Sequence, residues 1–154
     1  MKKVTFIRHA QSKFNAGQIR DKSELKDCLL SDAGLEQAKT LKGCFDLLIL
    51  TPLKRSMQTY VYSLVTCDKI IICDFFREHR DASGDLNFFG NEVPFNESKE
   101  DLYKRIDEGI QFLKDQEYQN IGIISHSHFI WHLMNRLGKN PTLIPNCTSL
   151  EIEF

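Results

Sequence analysis

Short apolar runs alternate with helical patterns along this chain, and that alternation limits the folds it can adopt. Runs rich in β-branched and aromatic residues predict four strands, over residues 4–7, 45–50, 69–73 and 121–124. Segments with apolar residues at helical spacing lie between these runs. Strands separated by helices favour an α/β fold, here a three-layer α/β/α sandwich around a mostly parallel sheet.

Capping residues predict where the first two helices begin and end. Ser31 suits the N-cap of the first helix, and Gly43 suits its end. Thr51 as N-cap and Pro52 at the first helical position predict the start of the second helix.

The second half of the chain adds two helices and an edge strand. Apolar periodicity predicts helices over residues 100–113 and 129–137. Residues 80–97 hold Gly, Asn, Pro and Ser without periodicity, which predicts a long loop. Residues 150–154 alternate apolar and acidic side chains, which is typical of an edge strand.

Bulk composition excludes several classes of partner. The chain has 154 residues, which suits a single domain over residues 1–154. Its net charge of -1 gives no general positive field to attract nucleic acid or an anionic membrane. The five cysteines lack CxxC spacing, which favours reduced thiols, and the N-terminus lacks the apolar run of a signal peptide. We therefore expect a cytoplasmic protein.

Polar residues follow each predicted strand of the parallel sheet. In chain order they are Arg8 and His9, then Arg55, then Glu78, then His126. Ligands of parallel sheets bind outside the carboxyl ends of the strands, so we expect these side chains to meet at one edge.

That edge suits the binding and transfer of a phosphoryl group. Guanidinium groups match phosphate oxygens, and free N–H groups at the starts of up to two helices favour anions. His9 could attack a bound phosphorus atom and become phosphohistidine. Arg8, Arg55 and His126 would stabilise charge on the equatorial oxygens. Glu78 is the candidate general acid for the leaving oxygen, and afterwards the base that activates water.

Six stretches, in order, resemble the motifs of the histidine phosphatase superfamily, also called the phosphoglycerate mutase-like family. They are Arg8-His9-Ala10-Gln11-Ser12 with Asn15, Asp27 through Ala38, Thr51-Pro52-Leu53-Lys54-Arg55 through Thr59, Arg77-Glu78, Glu97-Ser98 with Arg105, and Ile124-Ser125-His126-Ser127. The family patterns that they resemble are R-H-G, D-x-P-L-T-x-x-G-x-x-Q-A, S-P-L-x-R-A-x-Q-T, the proton-donor segment, a structural G-E-S…R pattern and V-S-H-G. Each motif alone is weak, but the ordered set spans nearly the whole chain.

The resemblance implies a phosphoglycerate mutase-like fold and assigns roles to residues of this chain. The catalytic set that it implies is His9 as the phosphorylated nucleophile, Glu78 as the proton donor, and Arg8, Arg55 and His126 as the phosphate pocket. The substrate contacts are Asn15, Gln11 and Ser127. We expect no metal and no other cofactor, and the expected partner is a small-molecule phosphate ester.

Three residues depart from the family pattern. Ala10 replaces the glycine of R-H-G, which costs about 1 kcal/mol if φ is positive there and is harmless otherwise. Ser127 replaces the glycine of V-S-H-G, and its hydroxyl could contact phosphate or narrow the pocket. Leu29 replaces a proline, which we expect only to loosen a loop.

Two assignments have competitors nearby in the sequence. Asp81 and Asp85 are close enough to replace Glu78 as the proton donor. His128 and His132 are four residues apart on one helix face, but no cysteine or carboxylate partner is evident. We therefore interpret these two histidines as packing or as a pocket wall rather than as metal ligands.

We expect hydrolysis of a small phosphomonoester. The alternatives are mutase-type phosphoryl transfer, a phosphoprotein or phosphohistidine phosphatase, and a non-catalytic phosphate-binding protein. Only residues 80–97 could form a lid, and the chain ends soon after its last strand, which favours hydrolysis over a mutase that must exclude water. A non-catalytic protein would be expected to lack the nucleophile or an arginine, and this chain has them all.

Overall fold

Strands alternate with helices through the described part of the chain. The computed structural model describes residues 1–21, 27–79 and 97–154. The strands are β1 Lys3–Arg8, β2 Lys42–Leu50, β3 Leu64–Ile72, β4 Asn120–Ser125 and β5 Ser149–Glu153. The helices are α1 Asp32–Ala38, α2 Lys54–Tyr62, α3 Lys99–Asp115 and α4 Ser127–Arg136, with a 3₁₀ turn over Asp74–Phe76.

One mostly parallel sheet joins these strands, in the order β3-β2-β4-β1-β5. The pairs β1–β4, β2–β4 and β2–β3 are parallel, whereas β5 runs antiparallel to β1 at the edge. The register sets Arg8 opposite Ser125, and Leu50 opposite Ile124. The residues that follow β1, β2 and β4 therefore emerge side by side.

Two hydrophobic layers cover the sheet, because successive strand residues point to opposite faces. Phe6 and Ile123 pack with the apolar residues of α3 and α4, whereas Ile7 and Ile124 pack on the other face with Met57 and its neighbours. The three-layer α/β/α prediction is confirmed.

The predicted end of the first helix is wrong. Ser31 caps α1 as predicted, accepting from the Gly34 N–H at 3.0 Å, but the helix ends at Ala38. Gly43 lies inside β2, paired with Val65. The ring of Phe45 occupies the space that a Cβ of residue 43 would need. Gly43 therefore lets the Phe45 ring pack close to the backbone of β2 and does not end a helix.

The predicted cap of the second helix is also wrong. Leu53, and not Thr51, stands at the N-cap of α2, and its side chain makes no capping hydrogen bond. Asp27 supplies the cap from a distant segment, accepting from the Lys54 N–H at 2.7 Å. The Thr51 hydroxyl contacts His126 instead.

The remaining strands and helices differ from the sequence predictions mainly at their boundaries. β3 begins at Leu64, five residues before the predicted start of that strand at residue 69. α3 begins one residue before its predicted start, and α4 begins two residues before its predicted start. Within the described ranges, the structure contains no helix long and apolar enough to span a bilayer.

Candidate active site

The carboxyl ends of β1, β2 and β4 bring His9, Thr51 and His126 together. The His9 N–H donates to the Ser125 carbonyl at 3.0 Å, which ties the ends of β1 and β4. The rings of His9 and His126 have centroids 5.1 Å apart. Only 4% of His9 and none of His126 is exposed, so both imidazoles are shielded from bulk solvent.

A backbone carbonyl fixes the tautomer of His9. His9 Nδ1 lies 2.6 Å from the Ala10 carbonyl oxygen. A carbonyl can only accept, so Nδ1 carries the proton in the neutral ring and Nε2 keeps its lone pair. Burial, followed by the charges of Arg55 and Arg8, lowers the pKa of His9 well below its usual value, against an opposing effect of the Ala10 hydrogen bond. The ring is therefore neutral near pH 7.

His126 is held through one ring nitrogen only. Its Nε2 lies 2.8 Å from the Thr51 hydroxyl oxygen. Its Nδ1 is buried and makes no hydrogen bond to the described residues. Burial is the largest cause that lowers the pKa of His126 well below its usual value, followed by the positive charge of Arg55.

Arg55 lies at the centre of the positive charge. It is in the first turn of α2 and is only 2% exposed. Burial first, and the Arg55 charge in addition, lower the pKa values of Arg8, His9 and His126, although Glu78 raises that of Arg8. Clustered like charges disfavour one another, so an anion bound among them would be stabilised.

Glu78 is placed beside this cluster by two backbone segments. Its Oε1 accepts from the Phe129 N–H at 2.8 Å and from the His79 N–H at 2.9 Å. Its Oε2 accepts from the His128 N–H at 3.2 Å. Glu78 thus caps the start of α4 from outside the helix.

Three of the helix N–H groups that the sequence predicts to be free are therefore occupied. Glu78 takes the N–H groups of His128 and Phe129 in α4, and Asp27 takes that of Lys54 in α2. Carboxylates satisfy these three groups in the protein alone, so they do not serve as free donors for phosphate.

An ion pair supports the backbone that leads to Glu78. Arg105 Nε and Nη2 donate to the two carboxylate oxygens of Glu97, both at 2.9 Å. Arg105 Nη1 donates to the Phe75 and Arg77 carbonyls at 2.8 and 2.9 Å. We call the pair Glu97–Arg105 the brace. Its residues match the structural pattern that the sequence resembled.

The three candidate substrate contacts have different surroundings. Asn15 Oδ1 accepts from the Ser12 N–H at 3.1 Å in a local turn. Gln11 Oε1 accepts from the Ser31 hydroxyl at 2.8 Å, which ties it to the start of α1. Ser127 is the first residue of α4 and is partly exposed beside His126. Their roles toward a substrate stay predictions.

Ala10 is tolerated because its backbone is ordinary. It is absent from the described non-glycine residues with positive φ, which are Asp27 and Cys147. It is fully buried, and its N–H donates to the Thr59 hydroxyl at 3.0 Å. The prediction that Ala10 is harmless where φ is not positive is therefore confirmed.

A C-terminal loop that the sequence analysis did not single out packs behind the site. Arg8 Nη1 donates to the Ile144 carbonyl at 2.8 Å. Asn146 Nδ2 donates to the His9 carbonyl at 3.0 Å and to Asn15 Oδ1 at 3.4 Å. These residues are more than 130 positions from their partners, and no local pattern marks such contacts.

The described residues include the histidine pair of α4 but neither of the two aspartates that could replace Glu78. Asp81, Asp85 and nearly all of the predicted loop lie outside the described residues. The His132 ring packs edge-on against His79 and Trp131, with centroids 5.5 and 4.9 Å apart. Within the described ranges, no group of His, Cys, Asp or Glu is arranged to hold a metal ion.

The chain has the fold of the phosphoglycerate mutase-like histidine phosphatases, as the resemblance seen in the sequence implied. The alpha-ribazole phosphatase of Shigella flexneri matches it with a TM-score of 0.71 and 20% identity, over 98% of this chain and 90% of that one. A phosphoglycerate mutase of Thermus thermophilus also has a TM-score of 0.71, with 18% identity over 99% and 93% of the two chains.

A sequence relative also carries a phosphatase name. The chain is 27% identical over 166 aligned positions to a Hydrogenobacter thermophilus protein called "Putative phosphoserine phosphatase 2". The match covers 90% of this chain and 81% of the relative. No family model matches the sequence.

Proposed function

We propose that this protein is a phosphomonoester hydrolase that acts on a small phosphorylated metabolite through a phosphohistidine on His9. The observation that carries the proposal is the His9 ring itself. It is neutral, its Nε2 lone pair is kept by the Ala10 contact, and it lies within a cluster of positive charge. A neutral imidazole with a free lone pair is a nucleophile, and the cluster supplies the field that holds an anionic phosphoryl group.

The first step moves the phosphoryl group to the protein. His9 Nε2 forms a bond to phosphorus while the ester P–O bond breaks, and the leaving oxygen takes that electron pair. Arg8, Arg55 and His126 stabilise the charge on the three remaining oxygens. Arg8 and Arg55 supply the positive charge, so the proposed step requires no metal ion.

Glu78 is the proposed proton carrier. Its contact to His128 through Oε2 is the longest of its three hydrogen bonds, so we assign proton exchange to Oε2. The protonated carboxyl gives its proton to the leaving oxygen. The resulting carboxylate then takes a proton from water, which attacks phosphorus. The P–N bond breaks, its electron pair returns to His9 Nε2, and inorganic phosphate leaves.

The relatives support the ester chemistry. The relatives named as phosphatases point to small phosphate esters, and we infer a substrate of that class for this chain. The mutase alternative has one supporting observation, which is the Thermus thermophilus mutase among the structural neighbours. Release of inorganic phosphate distinguishes the two reactions. The isolated cysteines support the cytoplasm as the proposed location.

The test is hydrolysis of p-nitrophenyl phosphate by wild type, His9→Ala and His128→Ala. His128 is the matched control, because it is exposed and only its backbone N–H contacts Glu78. We expect His9→Ala to lose about 10³-fold or more in kcat. The His128→Ala variant should stay within about twofold of wild type, since its side chain has no step in the mechanism. Equal turnover by wild type and His9→Ala would overturn the proposal.

A further inference from the structure

The Thr51 hydroxyl contacts His126 and does not make the cap of the second helix that the sequence pattern predicts. Thr51 and His126 are both fully buried, and Thr51 Oγ1 lies 2.8 Å from His126 Nε2. The connection between β2 and α2 is held by other hydrogen bonds and does not depend on this hydroxyl. The Thr51 N–H already donates to the Ser56 hydroxyl at 3.1 Å, and Ser56 donates to the Ile124 carbonyl at 2.8 Å.

Counting hydrogen-bond partners decides which ring nitrogen of His126 carries the proton. If Nε2 carried it, Thr51 would accept that proton, and its own O–H would lack an acceptor among the described residues. The lone pair on Nδ1 would then also be buried without a donor. If Nδ1 carries the proton, the Thr51 O–H donates to Nε2, and Nδ1–H alone lacks a protein partner. A buried polar group without a partner costs about 1–3 kcal/mol, so the second tautomer is favoured.

We propose that Thr51 is a positioning residue that keeps the proton of His126 on Nδ1 and so turns that ring into a hydrogen-bond donor for the bound phosphoryl group. The inference rests on the proposed function. The phosphoryl oxygen is then the acceptor that Nδ1–H lacks in the protein alone. The contact also fixes the ring plane, so the donor is in place before the ligand arrives.

The tautomer can be measured without any turnover. In ¹⁵N-labelled wild type at pH 7.5, long-range ¹H–¹⁵N spectra of the imidazoles report which nitrogen of His126 is protonated. We expect a protonated Nδ1, and we expect inorganic phosphate to shift its resonance. A proton on Nε2, or an Nδ1 resonance that phosphate leaves unchanged, would overturn the proposal.

Two variants of Thr51 test the consequence for turnover. Thr51→Val keeps the shape and removes the hydroxyl, whereas Thr51→Ser keeps the hydroxyl. We expect Thr51→Val to lower kcat for p-nitrophenyl phosphate about 10- to 100-fold, because the ring loses its fixed donor. Thr51→Ser should stay within about threefold of wild type, since it rescues the donor. Equal kcat values for the two variants would overturn the proposal.

The outcomes separate this inference from the proposed function. A wild type that hydrolyses no phosphomonoester would overturn the phosphatase proposal. A wild type that is active, but has His126 protonated on Nε2, would overturn only the role of Thr51. Thermal unfolding of both variants tests whether the fold is kept. Should Thr51→Val not fold, the wild-type spectra and Thr51→Ser still decide the question.

Discussion

The pocket around His9 and the brace between Glu97 and Arg105 are both buried and charged, but they use their polar atoms differently. In the brace, Arg105 Nε, Nη1 and Nη2 all donate to oxygens of the protein. In the pocket, buried Arg8 Nε and His126 Nδ1 make no hydrogen bond to the described residues. The brace uses its charge to hold the backbone, whereas the pocket keeps hydrogen-bonding atoms available for a ligand.

The effect of a buried charge depends on whether the protein itself pairs it. A buried charge that is fully paired contributes to the fold, and removing its partner is costly. In the pocket, burial lowers the pKa values of Arg8, His9 and His126, and the charge of Arg55 lowers them further, so a bound anion would be stabilised there. Changes in the brace should therefore alter stability, and changes in the pocket should alter activity.

The largest effect on stability is expected in the brace. Glu97→Gln leaves Arg105 without its carboxylate, and we expect a loss of about 3 kcal/mol in the free energy of unfolding, measured in urea. Asp107→Asn is the matched control, because Arg136 also binds its carboxylate through two nitrogens, but their side chains are 46% and 48% exposed. That control should lose less than about 1 kcal/mol. Equal losses would show that the brace is no stronger than a surface pair.

The largest effect on activity, apart from loss of His9, is expected at Arg55. Arg55→Gln removes the central charge, and we expect kcat/KM to fall about 100-fold, or about 2.7 kcal/mol. Inorganic phosphate should raise the melting temperature of wild type by binding the folded state, and raise that of the variant much less. A variant with wild-type kcat/KM would contradict the central place of Arg55.

The pH dependence of stability is the smallest of these effects when it is stated per histidine and per pH unit. The folded pKa values of His9 and His126 lie well below 6.5, so below that pH the unfolded chain binds protons that the folded chain does not. The contribution of these two histidines to the free energy of unfolding is therefore fully present above pH 6.5 and is lost as the pH falls. We expect a slope of up to about 1.4 kcal/mol per pH unit for each of the two histidines.

Variants identify the histidines that cause this slope. Urea unfolding between pH 5 and 7 should show a smaller slope in His126→Gln, and an unchanged slope in His128→Ala. The same slope in wild type and His126→Gln would contradict the assignment.

The layered fold and the pocket residues were predictable, because both follow from local pattern and a topological rule. Apolar runs gave the parallel strands, and polar residues after β1 and β4 meet wherever parallel strands end together. His9 and His126 were found in this way, and the structure places their rings side by side.

The parts that could not be predicted depend on contacts between distant segments. Thr51 has the local chemistry of a cap, but the sequence does not show that His126 lies next to it. Asp27 and Glu78 cap helices that begin far from them in the chain. Asn146 reaches the His9 carbonyl across 137 positions. Local propensity cannot report contacts of this kind.

The central claim is that His9 carries the phosphoryl group during turnover. The direct measurement is mass spectrometry of protein quenched in alkali within milliseconds of mixing with p-nitrophenyl phosphate, with peptide mapping under conditions that preserve phosphohistidine. We predict one added phosphoryl group, located on His9 and absent from His9→Ala. A wild type that turns over under these conditions with the phosphoryl group on another residue would contradict it.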